Sequence, residues 1–194
     1  MLLVYTPKIT PRLKFVFKQI CSRILNIPVS FTNVIEEFIA HDRLKMSYGS
    51  QPLGNEFFIR SNGLLLEQGL SDLELNVQTW EDTKCFFSSG EKSHIPFDIF
   101  SAAFYLLSRY EEYLPHVKDN YGRFTKEESL AFKSGFLHQA VVDLWAYKFK
   151  AALQLQYPDY EFDSRQFSIH PVIDVPVAYF FKNKGFLRTI GGIG

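Results

Sequence analysis

The chain has 194 residues, with 21 basic and 21 acidic side chains and a formal net charge of zero. That length supports one domain, or one domain and a tail, with a substantial core. The balanced charge gives no electrostatic argument for nucleic acid or for an anionic membrane surface, so neither is expected as a partner.

Twenty Phe and ten Tyr predict a strongly aromatic core. Leu2 to Tyr5 form a short apolar run with no basic leader and no small-residue cleavage site after it, and read as a first strand rather than a signal peptide. No apolar stretch approaches the ~20 residues of a membrane span. Cys21 and Cys85 lie far apart in apolar company and read as buried, reduced thiols. Together these features point to the cytoplasm.

Thr10 before Pro11 is an N-cap followed by proline at the first helical position. Leu13, Val16, Phe17, Ile20, Ile24 and Leu25 then recur at helical spacing until Asn26-Ile27-Pro28 ends the helix. Val29 to Thr32 reads as a strand and Val34 to Ala40 as a short helix. The opening is therefore β-α-β-α, the start of a parallel α/β layer.

Leu44 to Tyr48 is a weak strand. Phe57 to Arg60 and Gly63 to Leu66 flank Ser61-Asn62-Gly63 as a hairpin. Val77 to Trp80 and Cys85 to Phe87 form a second strand pair about Glu81-Asp82-Thr83. Pro96 to Leu114 reads as one long helix, apolar around most of its circumference and thus buried on more than one side. Residues 137–153 form another. The fold class is α/β: a mixed sheet with helices on both faces in three layers.

Ser108-Arg109-Tyr110-Glu111-Glu112-Tyr113 closes the buried helix. Arg109 and Glu112 are spaced to meet on one face, and Arg123 is a second partner within reach of the following turn. As a binding site, Arg109, Tyr110, Glu112, Tyr113 and Arg123 would line a ligand pocket; as a structural device, they would be an ion-pair network tying down the helix end. Tyr105, Tyr110, Tyr113, Tyr121 and Tyr147 offer faces on which sugar rings stack, or pack into the core. None of the five histidines stands at metal-ligand spacing from another, and no cysteine pair completes a zinc pattern. His138 and Asp143 share a helical stretch but not an i,i+4 spacing, and no Gly-x-Ser-x-Gly elbow is present. The sequence therefore names no catalytic residue, metal ligand or cofactor.

Phe167 to Asp174 (Phe-Ser-Ile-His-Pro-Val-Ile-Asp) reads as a hydrophobic strand that delivers a carboxylate to its own end, as the first strand of an α/β barrel does. Only twenty residues follow, ending in Gly191-Gly-Ile-Gly194, where a barrel needs on the order of 200. Residues 1–166 are read as a mixed α/β N-terminal domain and 167–194 as the truncated start of a barrel, or a tail. Three segments carry a resemblance: Ile95-Pro-Phe-Asp-Ile-Phe through Ser-Arg-Tyr-Glu-Glu-Tyr-Leu114, then Asp119-x-Tyr-Gly-Arg-Phe124, and last Ile173-Asp174-Val175. Over essentially its whole length the chain resembles the uncharacterised N-terminal domain that precedes NodB-like polysaccharide deacetylase domains of carbohydrate esterase family 4.

The resemblance implies a missing barrel that uses a divalent metal, with Asp174 as a remnant of its first motif. In the spaced form of that motif the partner of Asp174 would be Val172 or Pro176, and neither offers a ligand atom. The expected function is a non-catalytic accessory or interaction domain of a polysaccharide-deacetylase-like protein, able to self-associate through its terminal strand. The alternatives are a carbohydrate-binding module with a glycan as partner, the front half of a metal-dependent deacetylase, or an α/β enzyme using the carboxyl ends of its strands.

Overall fold

The computed structural model describes residues 1–163 and 167–175. Four strands, β1 (Leu2–Tyr5), β2 (Val29–Thr32), β3 (Lys45–Gly49) and β4 (Phe57–Arg60), form one sheet in the order β2-β1-β3-β4. Every neighbouring pair in it is parallel. The sheet is thus wholly parallel rather than mixed. The antiparallel pairing lies outside it, in a separate hairpin of β5 (Gln78–Trp80) and β6 (Thr83–Cys85) about Glu81-Asp82.

The β-α-β-α opening forms as expected. Thr10 accepts the Leu13 N–H at 3.1 Å and caps α1 (Pro11–Phe17), which has Pro11 at its start. From Lys18 to Ile24 the helix widens to π geometry, with Leu25 bonded back to Ile20. Positive φ at Asn26 turns the chain into β2. The second helix, α2 (Ile35–Ala40), leads into β3.

Strand alternation sends Leu2, Val4, Met46, Tyr48, Phe57 and Ile59 to one face, where all are buried. They pack under α1, α3 (Ile99–Leu107) and α5 (Val141–Gln156) in a cluster of rings. Phe100 stacks on Phe17 at 3.6 Å between centroids and meets Tyr48 and Phe149 edge-on. On the opposite face Tyr5 packs against Phe38 of α2. Helices on both faces, and hence three layers, match the sequence expectation. Trp145 of α5 is fully buried and donates its indole N–H to the Lys84 carbonyl, which ties the hairpin to the helix layer.

Four local expectations change. Gly63 to Leu66 is a turn, not a strand: β4 pairs with β3 on one edge, and on the other Phe58 and Arg60 bond to His94 and Ser93, which leaves no ladder for a hairpin partner; Leu64 and Leu65 are buried as turn residues. The single long helix over 96–114 is shorter: Asp98 caps α3 at Ser101, and Arg109, in left-handed backbone conformation at φ +54°, ends it before a 3₁₀ turn at Tyr110–Tyr113. Residues 137–140 precede α5, so His138 is not on a helix with Asp143. A short helix, α4 (Leu130–Lys133), stands before it.

Residues 167–175 form no strand. Phe167, Ile169, Val172 and Ile173 are between 74 and 92% exposed, and Pro171 has no N–H to give to a ladder. With no neighbour to bury its apolar side chains, an isolated strand has nothing to hold it. No barrel element is therefore seen among the described residues. The Gly191–Gly194 tail, Pro176 and the remainder of the expected second unit lie outside the described residues. Among the described residues, no helix is long and apolar enough to cross a membrane. Cys21 and Cys85 are buried free thiols, and burial raises the pKa of both.

Candidate functional site

In an open parallel sheet, ligands sit beyond the carboxyl ends of the strands, where neighbouring crossovers leave in opposite directions. Here that point lies between β1, which leads to α1 and β2, and β3, which is reached through α2. The crevice is filled by the chain itself. The segment 61–71 leaves β4 and passes to the amino end of α1, with Ser61 N–H bonded to the Gly49 carbonyl at the end of β3. Three side chains of the β1–α1 turn and the first turn of α1 hold its carbonyls: Lys8 Nζ donates to Leu66 O, Thr10 Oγ1 to Leu65 O, and Arg12 to Leu64 O and Gly69 O.

Both ends of this strap are fixed. At its start, Asp98 is wholly buried: Oδ2 accepts the Asn62 N–H at 2.7 Å and the Tyr48 hydroxyl at 2.8 Å, while Oδ1 accepts the Ser101 N–H at 3.0 Å. Burial raises the Asp98 carboxyl above its ordinary pKa, against the pull of these donors. At its far end, the Tyr110 hydroxyl accepts the Ser71 N–H at 2.8 Å. The left-handed Arg109 is what turns Tyr110 out of the helix and toward Ser71.

The sequence-predicted ligand residues occupy this same end of α3, mostly in structural roles. Tyr110 is 3% exposed and fastens the strap. Arg109 and Glu112 pair with each other, and Arg109 is largely exposed. Arg123 pairs with Asp119 at 3.1 Å instead of joining them, and lies over the exposed Tyr121 ring. Its turn forms as read, with Gly122 N–H bonded to the Asp119 carbonyl. Tyr113 is 67% exposed.

The cleft beside them, about 200 Å³, is lined by the neighbours of those residues: Tyr105, Glu111, His116, Phe124, Leu130 and Lys133 among others. Glu111 Oε2 accepts the Leu130 N–H at 2.8 Å at the start of α4. Burial raises the Glu111 carboxyl, as does the Glu112 charge beside it, while the Leu130 N–H and Lys133 act the other way. His116 Nδ1 lies 2.8 Å from the Leu114 carbonyl. Lys133 faces Glu128 at 3.6 Å. The sequence-predicted residues and the lining of the cleft belong to one run but face different ways. Only the left-handed Arg109, which nothing in the helical periodicity announces, decides which tyrosine and which glutamate turn inward.

Asp174, the one residue the deacetylase resemblance would put near a metal, is exposed. Among the described residues no three His, Cys, Asp or Glu side chains are grouped as metal ligands. The described side chains alone do not make up a divalent-metal centre.

Compared with known proteins, residues 2–158 match the model of a family described as "Family of unknown function (DUF7033)". The chain belongs to that family. The match takes in every strand and helix described above, the strap and the cleft. No curated protein and no solved structure matches the chain, and nothing in these comparisons links this DUF7033 member to the deacetylases.

Proposed function

We propose that this chain is a non-catalytic accessory or interaction domain of a polysaccharide-deacetylase-like protein. The observation that carries the non-catalytic part is the strap. The crevice where a parallel α/β sheet places its chemistry is occupied by residues 61–71, and the cations of the β1–α1 turn and the first turn of α1 are used to hold backbone carbonyls there. Asp98, the one fully buried carboxylate among the described residues, is committed to three internal donors. The exposed apolar run at 167–175 supports the interaction part, either with a second copy or with a catalytic unit. The deacetylase connection rests on the sequence resemblance around Ile95–Leu114, Asp119–Phe124 and Asp174.

Three experiments test this. Acetate release from acetylated chito-oligosaccharides is measured for the purified chain with Zn²⁺ or Co²⁺; none is expected, and turnover above the metal blank overturns the non-catalytic reading. The coding sequence around this chain is read for a barrel bearing Asp and His ligands, in frame or adjacent, and its absence in every member of the family removes the deacetylase connection. Self-association through 167–175 is checked by light scattering across concentration, with and without those residues; an unchanged monomer in both cases sinks it. The carbohydrate-binding alternative is favoured by a different observation, the cleft at the end of α3.

A further inference from the structure

We propose that the cleft between the carboxyl end of α3 and α4 binds one neutral pyranose unit, through Tyr105, Glu111 and His116. This gives the carbohydrate-binding alternative a location and does not rest on the accessory reading. The argument starts from Tyr105. Its side chain is 3% exposed and it lines the cleft, and its hydroxyl has no hydrogen-bond partner among the described residues. The other well-buried tyrosines do have one: Tyr48 bonds to Asp98 and Tyr110 to Ser71. The hydroxyl is not one of the sealed, unpartnered polar atoms of the fold; it opens onto the cleft, where a ligand hydroxyl can bond to it in place of water.

Two acceptors on the lining complete the pattern. Glu111 spends Oε2 on Leu130, which leaves Oε1 without a hydrogen-bond partner among the described residues. The Leu114 carbonyl can only accept, so His116 must donate from Nδ1, which makes Nε2 an acceptor in the neutral ring. Phe124, edge-on to His116 at 4.9 Å, and Leu130 supply an apolar wall. A sugar ring presents this combination in reverse, with hydroxyl donors on its rim and C–H groups on its faces.

Charge and size narrow the class. Lys133 and Glu128 offset each other, so the lining keeps the one carboxylate of Glu111, which repels phosphates and uronates. A volume of about 200 Å³ is below the roughly 300–1,000 Å³ of pockets for drug-sized ligands, and fits one ring, free or at the end of a chain.

The test is a ¹H–¹⁵N titration of the full chain with methyl β-glucopyranoside, N-acetylglucosamine and chitotriose, with inorganic phosphate as the anionic comparison. Amide shifts at Tyr105, Glu111, His116, Phe124 and Leu130–Lys133 are expected with the neutral sugars and not with phosphate. Chitotriose binding more tightly than its monosaccharide identifies a chain end as the ligand, and equal affinity identifies a free ring; either supports the site. Tyr105→Phe should weaken binding at least about fivefold, the loss of one hydrogen bond. It should leave Tm within about 2 °C, since that hydroxyl makes no internal bond. No shift with any sugar, shifts confined to other residues, binding of phosphate in their place, or full affinity in Tyr105→Phe each overturns the proposal. No catalytic partner is present in the titration, so its outcome is independent of the accessory reading.

Discussion

Tyr48 and Asp98 share a 2.8 Å hydrogen bond in the closed interior, where neither side chain meets solvent. One carboxylate thereby joins β3, the start of the strap and the first turn of α3. Asp98→Asn keeps the shape but turns an amide N–H₂ toward a donor whichever way it sits. A loss of about 2–4 kcal/mol is expected, against about 1–3 kcal/mol for Tyr48→Phe. Because they share one bond, the double variant should cost less than the sum. Urea unfolding of the four proteins decides it, and simple additivity would count against a shared network.

Thr10 has two roles, accepting the Leu13 N–H and donating to Leu65 O. Thr10→Val is isosteric and removes both. It should cost about 1–2 kcal/mol, the range of a lost N-cap, and speed amide exchange in 64–71 as well as in the first turn of α1. Faster exchange confined to α1 would show that Thr10 caps the helix without fastening the strap.

Phe100 sits among Phe17, Tyr48 and Phe149. Phe100→Ala opens a cavity that three rigid rings cannot close, and should cost about 3–5 kcal/mol, read as a lower denaturation midpoint with an unchanged slope. A loss below about 1 kcal/mol would mean that these rings repack.

Glu56 gives a pH signature. Burial acts to raise its carboxyl, but the Ser47 hydroxyl and the Leu53 N–H donate to it and hold it below the ordinary value. A depressed folded pKa adds stability above the unfolded value that is lost as pH falls through the folded one. Glu56→Gln should therefore lower stability at pH 7 by about 1–3 kcal/mol, with a deficit that closes as pH drops below the ordinary Glu range. An equal deficit at pH 7 and in that acid range would assign its role to shape alone.

The β1-α1-β2-α2 start was legible because period-3.6 and period-2 patterns, a Thr-Pro cap and Pro28 agree locally. The hairpin at 57–66 was misread because turn chemistry at Ser61–Gly63 does not reveal that β4 has β3 on one edge and Ser93–His94 on the other. The long helix failed at Arg109, where apolar periodicity continues through a residue in left-handed conformation. The candidate site was legible as a run, Ser108–Tyr113, but not as an arrangement. Tyr105 lies one turn upstream, and His116 and Lys133 join only once α4 folds back on the end of α3.

The backbone runs on from the far end of the strap at Ser71. Leu75, four residues on, is a wall of the cleft, so one continuous stretch of backbone runs from the closed end of the sheet to the open pocket. Arg12 holds it at Gly69 and Tyr110 at Ser71. A shift of Leu75 caused by filling the cleft would therefore meet the Ser71–Tyr110 and Gly69–Arg12 bonds before it could reach the amino end of α1.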